Sequence, residues 1–248
     1  MGAQKTSLPL KKKIVLVDDH SIMRQALASL INEESDLKVC GQAGTASQAM
    51  EIIESQKPDL AIVDLSLKGR SGLELIKTIK SLRLSVPVLV LSMHEESLYA
   101  ERALHAGARG YVMKQDSPEK LISAIHRVLQ GEISFSSATT DGILQRMTGM
   151  SREKTSSPYE QLSDRELEVF ELIGQGYGTS DIAGLLKLSA KTIEYHRENI
   201  KRKLNVTDAT QLRRQAIQWV QTEGKFDNAV DGPQKKRAAA PSRSRRRR

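Results

Sequence analysis

Five short runs of aliphatic and β-branched residues, each followed by a stretch of helical periodicity, leave the first half of this chain few ways to fold. The runs are Ile14–Val17, Lys38–Ala43, Leu60–Asp64, Val86–Ser92 and Gly110–Met113, and the helical periods lie around 21–33, 45–55, 72–82, 96–107 and 117–130. Strands so short and so apolar suit a parallel sheet buried on both faces. Five strand–helix units in series predict an open, doubly wound α/β fold built on a five-stranded parallel sheet. Such folds bind ligands in the crevice beyond the carboxyl ends of their strands. Asp18 and Asp19 follow the first run, Asp64 ends the third, Ser92 ends the fourth and Lys114 follows the fifth. The topology therefore gathers three carboxylates, a hydroxyl and an ammonium at one edge of the sheet.

That set has a definite chemistry. Three carboxylates a few ångströms apart repel one another unless they share a hard cation. Mg²⁺ fits, because it is commonly held by one or two carboxylates together with water and phosphate oxygens. The cation would offset negative charge as a phosphoryl group approaches Asp64. Lys114 can pair with the outer oxygens of the new phosphate, and Ser92 can donate a hydrogen bond to it. Phosphoryl transfer is catalysed mainly by positioning and electrostatics, so this short inventory is sufficient.

The second half reads differently. From Gly131 to about Gln161 the composition shifts to Ser, Thr and Gly, with a short helix near Asp141–Met147 and the most linker-like stretch at Ser151–Pro158. Ser163 with Glu166 three residues on forms a capping box that opens a helix to about Ile173. Gly174, Gly176 and Gly178 mark a turn, and Thr179 or Ser180 is placed to cap the next helix. Ser189 then caps a third helix running to about Leu204, and a last one near Ala209–Val220 is anchored by Leu212, Ala216 and Trp219. In the third helix Ile193, His196, Ile200 and Leu204 make one apolar stripe. The opposite face presents Lys191, Glu194, Tyr195, Glu198 and Arg202, with Arg197 and Lys201 beside it. A helix held in a tight helix-turn-helix can lay such a face in the major groove of double-stranded DNA, its first turns nearest the bases. His196 has no second His or Cys at a ligand spacing, so it is expected to pack rather than bind metal.

Charge is unevenly spread. The residues from Pro233 onward carry eight basic side chains and no acidic one, which equals the entire net charge of +8. A run of that kind is expected to be disordered and to suit a polyanion. The single cysteine, Cys40, excludes an internal disulfide and fits a reducing compartment; its apolar neighbours predict a buried structural thiol. After Lys11–Lys13 the apolar run ends at Val17, too short for a signal-peptide core. Nothing approaches the run of about 18 apolar residues that a membrane helix needs. No membrane association and a cytoplasmic location are expected.

The segments VLVDDHSIMRQAL, PDLAIVDLSLKGRSGLELI, VLVLSMHEES and ARGYVMKQDSPEKLISAI, spanning about 13–130, resemble the receiver domain of two-component response regulators. LSDRELEVFELIGQGYGTSDIAGLLKLSAKTIEYHRENIKRKLNV resembles the LuxR-type DNA-binding domain found in regulators of the NarL/FixJ class. The resemblance implies a flavodoxin-like receiver over 13–130 followed by a small all-α helix-turn-helix domain over 162–222. A leader (1–12), a linker (131–161) and a basic tail (223–248) complete the expected organisation. It implies that Asp64 is the phosphoacceptor, that Asp18, Asp19, Asp64 and the Ser66 carbonyl hold Mg²⁺, and that Ser92 and Tyr111 are the switch residues. Ser66 and His94 occupy positions that tune loss of the phosphate. It also implies that Lys191–Lys201 is the recognition helix, with Lys191, Thr192, Glu194, Tyr195, Arg197, Glu198, Lys201 and Arg202 at the DNA. The partners implied are a sensor histidine kinase or phosphotransfer protein, DNA, and a second copy of the chain when phosphorylated or DNA-bound.

This chain departs from the family pattern in places. Leu67-Lys68-Gly69 stands where Met-Pro-Gly is common, which predicts a looser loop and altered kinetics. Glu194 and Glu198 replace frequent lysines, predicting a different base preference, and Ala209 replaces a frequent arginine. Two other functions compete with the regulator. A phosphohydrolase acting through an aspartyl phosphate generally needs a second acid two residues after its nucleophile, and that residue here is Ser66. An adaptor whose helical domain binds protein is favoured only by the two outward glutamates.

Overall fold

The computed structural model describes residues 10–67, 71–94, 96–147 and 157–222. The expectations for most of the leader, for Lys68, for much of the linker and for the basic tail fall outside them.

The first half alternates strand and helix throughout: β1 (Lys12–Val17), α1 (Ser21–Glu33), β2 (Leu37–Ala43), α2 (Ala46–Gln56), β3 (Leu60–Val63), α3 (Gly72–Ser81), β4 (Val88–Ser92), α4 (Glu96–Ala106), β5 (Gly110–Met113) and α5 (Pro118–Leu129). All pairings are parallel, in the order β2-β1-β3-β4-β5. Because side chains alternate along a strand, the two faces bury different residues. Ile14, Leu16, Leu60, Ile62, Leu89, Leu91 and Val112 pack with Leu27 and Ile31 of α1 and Leu121 and Ile125 of α5. Val15, Val17, Ala61, Val63, Val88, Val90 and Tyr111 pack on the opposite side with α2, α3 and α4. Strand order reverses between β1 and β3, so the crevice that doubly wound folds use for ligands opens beside Val17 and Val63.

One expectation about this half needs correction. Cys40 is half-buried and not sealed in the core. The physical reason is that β2 is an edge strand, where only Leu37 and Ala43 are fully buried. Burial and the nearby Asp59 carboxylate still raise its thiol pKa, against the pull of Lys13 and Lys38.

The chain does not leave the sheet after α5. Ser134 accepts a backbone hydrogen bond from Tyr111 at 2.9 Å and donates one to Arg109 at 2.8 Å, forming an isolated bridge beside β5. A helix α6 (Ser137–Met147) follows, beginning four residues earlier than the sequence implies. Ser136 sets this start: its hydroxyl accepts from the Thr139 N–H, and its carbonyl receives the Thr140 N–H.

A 3-10 turn at Pro158–Gln161 introduces four helices, α7 (Asp164–Gly174), α8 (Thr179–Leu186), α9 (Ala190–Lys203) and α10 (Ala209–Thr222). The capping box at Ser163 and Glu166 is present in both directions, at 3.3 and 2.7 Å. Tyr159, Phe170 and Trp219 form an aromatic cluster with ring centroids 5.3 to 6.0 Å apart. Gly174 lies inside α7 and not in the turn. A Cβ there would stand 2.4 Å from the Ala216 carbonyl oxygen, so its small size sets how closely α7 meets α10. Neither Thr179 nor Ser180 caps α8. The N-cap is Gly178, whose N–H donates to Asp181 at 3.2 Å, and this frees the Thr179 hydroxyl to bond elsewhere.

The two halves meet along one seam. Lys77 of α3 and Arg102 of α4 both donate to Asp164 at the start of α7, at 2.6 and 2.9 Å. Arg102 also reaches the Glu160 carbonyl at 3.1 Å. The Ser136 N–H donates to Glu96 at 2.7 Å, and the Tyr99 hydroxyl donates to Glu171 of α7 at 3.4 Å.

Candidate phosphoryl site and DNA-facing helix

At the carboxyl ends of β1, β3 and β5 the expected groups come together. Asp18 and Asp64 are buried, and Lys114 sits between them, its Nζ 2.7 Å from Asp18 Oδ2 and 2.8 Å from Asp64 Oδ2. Burial, reinforced by the Asp18 charge, pushes the Asp64 carboxyl above its ordinary pKa while Lys114 and the Ser66 N–H pull against it. Burial lowers the Lys114 pKa, but the two aspartates outweigh it and the ammonium is held protonated. Asp18, Asp19, His20 and Asp64 each offer a ligand atom, all within 4.8 Å of one another. The acidic cluster thus has the donor set and spacing of a divalent-cation site. His20, whose Nδ1 lies 2.9 Å from Asp19 Oδ1, was not expected from the sequence. Its only signal was its place directly after the acidic pair.

Around this core the other expected residues are present, in different roles. The Ser66 N–H donates to Asp64 Oδ1 at 3.2 Å, and its hydroxyl meets His94 Nε2 at 2.9 Å. Ser92 is fully buried, and its Oγ accepts from the His94 N–H at 3.2 Å rather than reaching Asp64. Tyr111 points inward, its hydroxyl donating to the His94 carbonyl at 2.8 Å. His94, which the resemblance gives a role in tuning phosphate loss, is the hub of these contacts. Its ring stacks on Tyr99 with centroids 4.4 Å apart, and its Nδ1 lies 3.7 Å from Glu171. A connection therefore runs from the Asp64 loop through Ser66 and His94 to α7. No local pattern marks such a connection, because Glu171 is brought in by the packing of the second half.

The second group of expected residues lies together on α9. Ser189 caps the helix, accepting from the Thr192 N–H at 3.0 Å. Ile193 and Ile200 are fully buried, whereas Lys191, Glu194, Tyr195, Glu198 and Arg202 are exposed and Thr192, Arg197 and Lys201 half-exposed. Tyr195 is 65% exposed despite its size. The seam with the first half is made by α7 and the turn before it, so this face of α9 stays open to solvent. His196 is half-buried and its imidazole pKa is lowered, chiefly by desolvation and then by Arg165. It belongs with the packed side of the helix.

Comparison with known proteins agrees with both halves. Residues 14–126 match the response regulator receiver domain, and residues 160–216 match the bacterial regulatory proteins of the luxR family. The oxygen regulatory protein NreC of Staphylococcus epidermidis is 34% identical over 210 residues, covering 83% of this chain and 96% of its own. A LuxR-family two-component response regulator from Aurantimonas sp. SI85-9A1 is 32% identical, covers 56% of this chain and 99% of its own, and superposes with a TM-score of 0.51. RcsB from Salmonella enterica serovar Typhimurium, solved bound to the rprA promoter, shares the fold at 24% identity with a TM-score of 0.60, covering 82% of this chain and 97% of its own. Among the described residues no helix is long and apolar enough to cross a membrane. The chain belongs to the two-component response regulators that join a receiver domain to a LuxR-type helix-turn-helix, and it is a DNA-binding transcription regulator of that family.

Proposed function

We propose that Asp64 is the phosphoacceptor of this regulator, that the regulator is cytoplasmic, and that a sensor histidine kinase or phosphotransfer protein supplies the phosphoryl group. The observation that carries this is the buried Lys114 ammonium shared by Asp18 and Asp64 at 2.7 and 2.8 Å. A lysine so placed would move from the carboxylates to the phosphate oxygens as a point charge. An oxygen of Asp64 attacks phosphorus as the phosphorus–nitrogen bond of the donor histidine breaks. Asp18, Asp19 and Asp64, with the Ser66 carbonyl, are the residues that would hold Mg²⁺. That ion would neutralise the charge of the carboxylates and of the incoming phosphoryl group. Ser92 and Tyr111 both hydrogen-bond His94, so a phosphate that recruits the Ser92 hydroxyl disturbs His94 and its contact with Glu171.

In this reading the receiver spans 13–130 and the DNA-binding domain 162–222, and the seam between them is what phosphorylation loosens. Lys191, Thr192, Glu194, Tyr195, Arg197, Glu198, Lys201 and Arg202 face the duplex, and a homodimer reads two half-sites. The exposure of the charged face of α9 favours DNA over a protein-binding adaptor. Aspartyl-phosphate turnover of an external substrate is not part of this reading, since Ser66 supplies no acid.

The test is selection from a genomic duplex library with wild type, treated with acetyl phosphate and Mg²⁺, against Asp64→Ala. A motif enriched only by phosphorylated wild type is the expected result. Equal enrichment by both proteins would remove Asp64 from the switch, and no motif from either would remove DNA. Sedimentation reporting monomers in both phosphorylation states and on DNA would refute the dimer.

A further inference from the structure

From the contacts of α9 we propose that Glu194 is a specificity-determining residue that selects cytosine at one position of each half-site, and that Thr179 is its positioning residue. This rests on the DNA-reading function proposed above and says what that reading selects. Glu194 is exposed in the second turn of α9, and its Oε1 accepts a hydrogen bond from the Thr179 hydroxyl at 2.6 Å. Thr179 is the first residue of α8, released for this contact because Gly178 serves as the N-cap. The second carboxylate oxygen makes a long ion pair with Arg197 Nε at 3.8 Å, without a hydrogen bond. One oxygen of Glu194 is therefore tethered across the helix-turn-helix while the other, on an exposed side chain, keeps acceptor capacity.

A carboxylate entering a groove lined by phosphates is repelled unless it finds a donor. In the major groove guanine offers N7 and O6 and thymine offers O4, all acceptors, so both bases repel a glutamate. Adenine presents a donor beside an acceptor, whereas cytosine presents its N4 amino group alone. Glu194 therefore favours cytosine, disfavours adenine and rejects guanine and thymine. The tether matters because a free glutamate can swing away from the wrong base at little cost. Glu198, one turn on, pairs more closely on the same helix, with Lys201 at 2.7 Å, and among the described residues it has no hydrogen bond to α8.

The substitution that separates this from a structural role is Glu194→Gln, which keeps shape and the Thr179 bond at the amide oxygen but turns an N–H donor outward in place of the free acceptor. Such a donor matches the N7 and O6 acceptors of guanine and no longer matches the cytosine amino group. Selection from a random duplex library by the full phosphorylated chain should change cytosine to guanine at a single position per half-site, with about tenfold preference, and leave the other positions as in wild type. Thr179→Val should weaken the cytosine preference at that position alone, and Thr179→Ser should restore it. An unchanged motif from Glu194→Gln, or loss of all selection by it, would overturn the assignment. Failure of wild type itself to select any motif would instead overturn the DNA-reading function, and this inference with it.

Discussion

Lys114 is the residue on which the electrostatics of the proposed phosphoryl site turn. Its ammonium bridges the buried Asp18 and Asp64 carboxylates at 2.7 and 2.8 Å. Breaking a buried pair by removing one partner typically costs about 3–5 kcal/mol, because the remaining charge is left uncompensated. Lys114→Met leaves two carboxylates facing each other, so its unfolding free energy, measured by urea denaturation, should fall by an amount in that range. Millimolar Mg²⁺ should return more stability to the variant than to wild type, since only there does the cation become the sole counter-charge. Equal Mg²⁺ responses from both proteins would show that the carboxylates do not form the cation site. The same residue-scale view explains why Ser92 and Tyr111 are engaged with His94: both hydroxyls are deeply buried, and a buried hydroxyl without a partner is costly.

Elements here are set as much by what is missing as by what is present. Gly174 has no Cβ, and one built there would meet the Ala216 carbonyl oxygen at 2.4 Å and Val220 at 2.5 Å. Overpacking of this kind typically costs about 1–3 kcal/mol. Gly174→Ala should lower the melting temperature of the helical half by several degrees, and a thermal melt matching wild type would mean that α10 can shift freely. Gly72 stands in the same position at the start of α3, where a Cβ would fall 2.0 Å from the Asp64 carbonyl oxygen. Gly72→Ala is therefore expected to slow phosphorylation by acetyl phosphate as well as to destabilise, because the clash moves the backbone of Asp64, the proposed phosphoacceptor. An unaltered phosphorylation rate would show that the strain is absorbed by α3. The cap of α7 is worth less: Ser163→Ala should cost about 1 kcal/mol, read from a denaturant midpoint.

At the scale of the whole molecule, buried apolar residues of both halves form one continuous cluster, and the polar contacts of the seam centre on Asp164. Burial raises the pKa of its carboxyl, but the hydrogen bonds and charges of Lys77 and Arg102 outweigh this and hold it below the ordinary value of about 3.9. A group whose pKa is depressed by docking stabilises the docked form above its undocked value, and the benefit is lost as pH falls through the docked one. Docking should therefore persist at neutral pH and weaken only below about pH 3.9. A radius of gyration that rises there, before helical circular dichroism is lost, is the expected signature. Arg102→Met should shift that rise to higher pH, and an unshifted transition would place the strength of the seam elsewhere.

Much of this could be read from residues in order. Strand and helix periodicity place all five βα units within a few residues of their observed ends, because burial on two faces leaves a continuous apolar run. The same rule locates Asp18, Asp19, Asp64, Ser92 and Lys114 at strand ends, and the 3.6-residue repeat separates the buried Ile193 and Ile200 from the open face of α9. Tertiary structure decided what such local patterns do not encode. Cys40 is half-buried because β2 lies at an edge, a property of strand order and not of the strand. Thr179 meets Glu194, and His94 meets Ser66 and Glu171, through contacts 15 to 77 positions apart. Periodicity reports which face of an element is buried; only packing chooses the partner that covers it, since that choice depends on elements far along the chain.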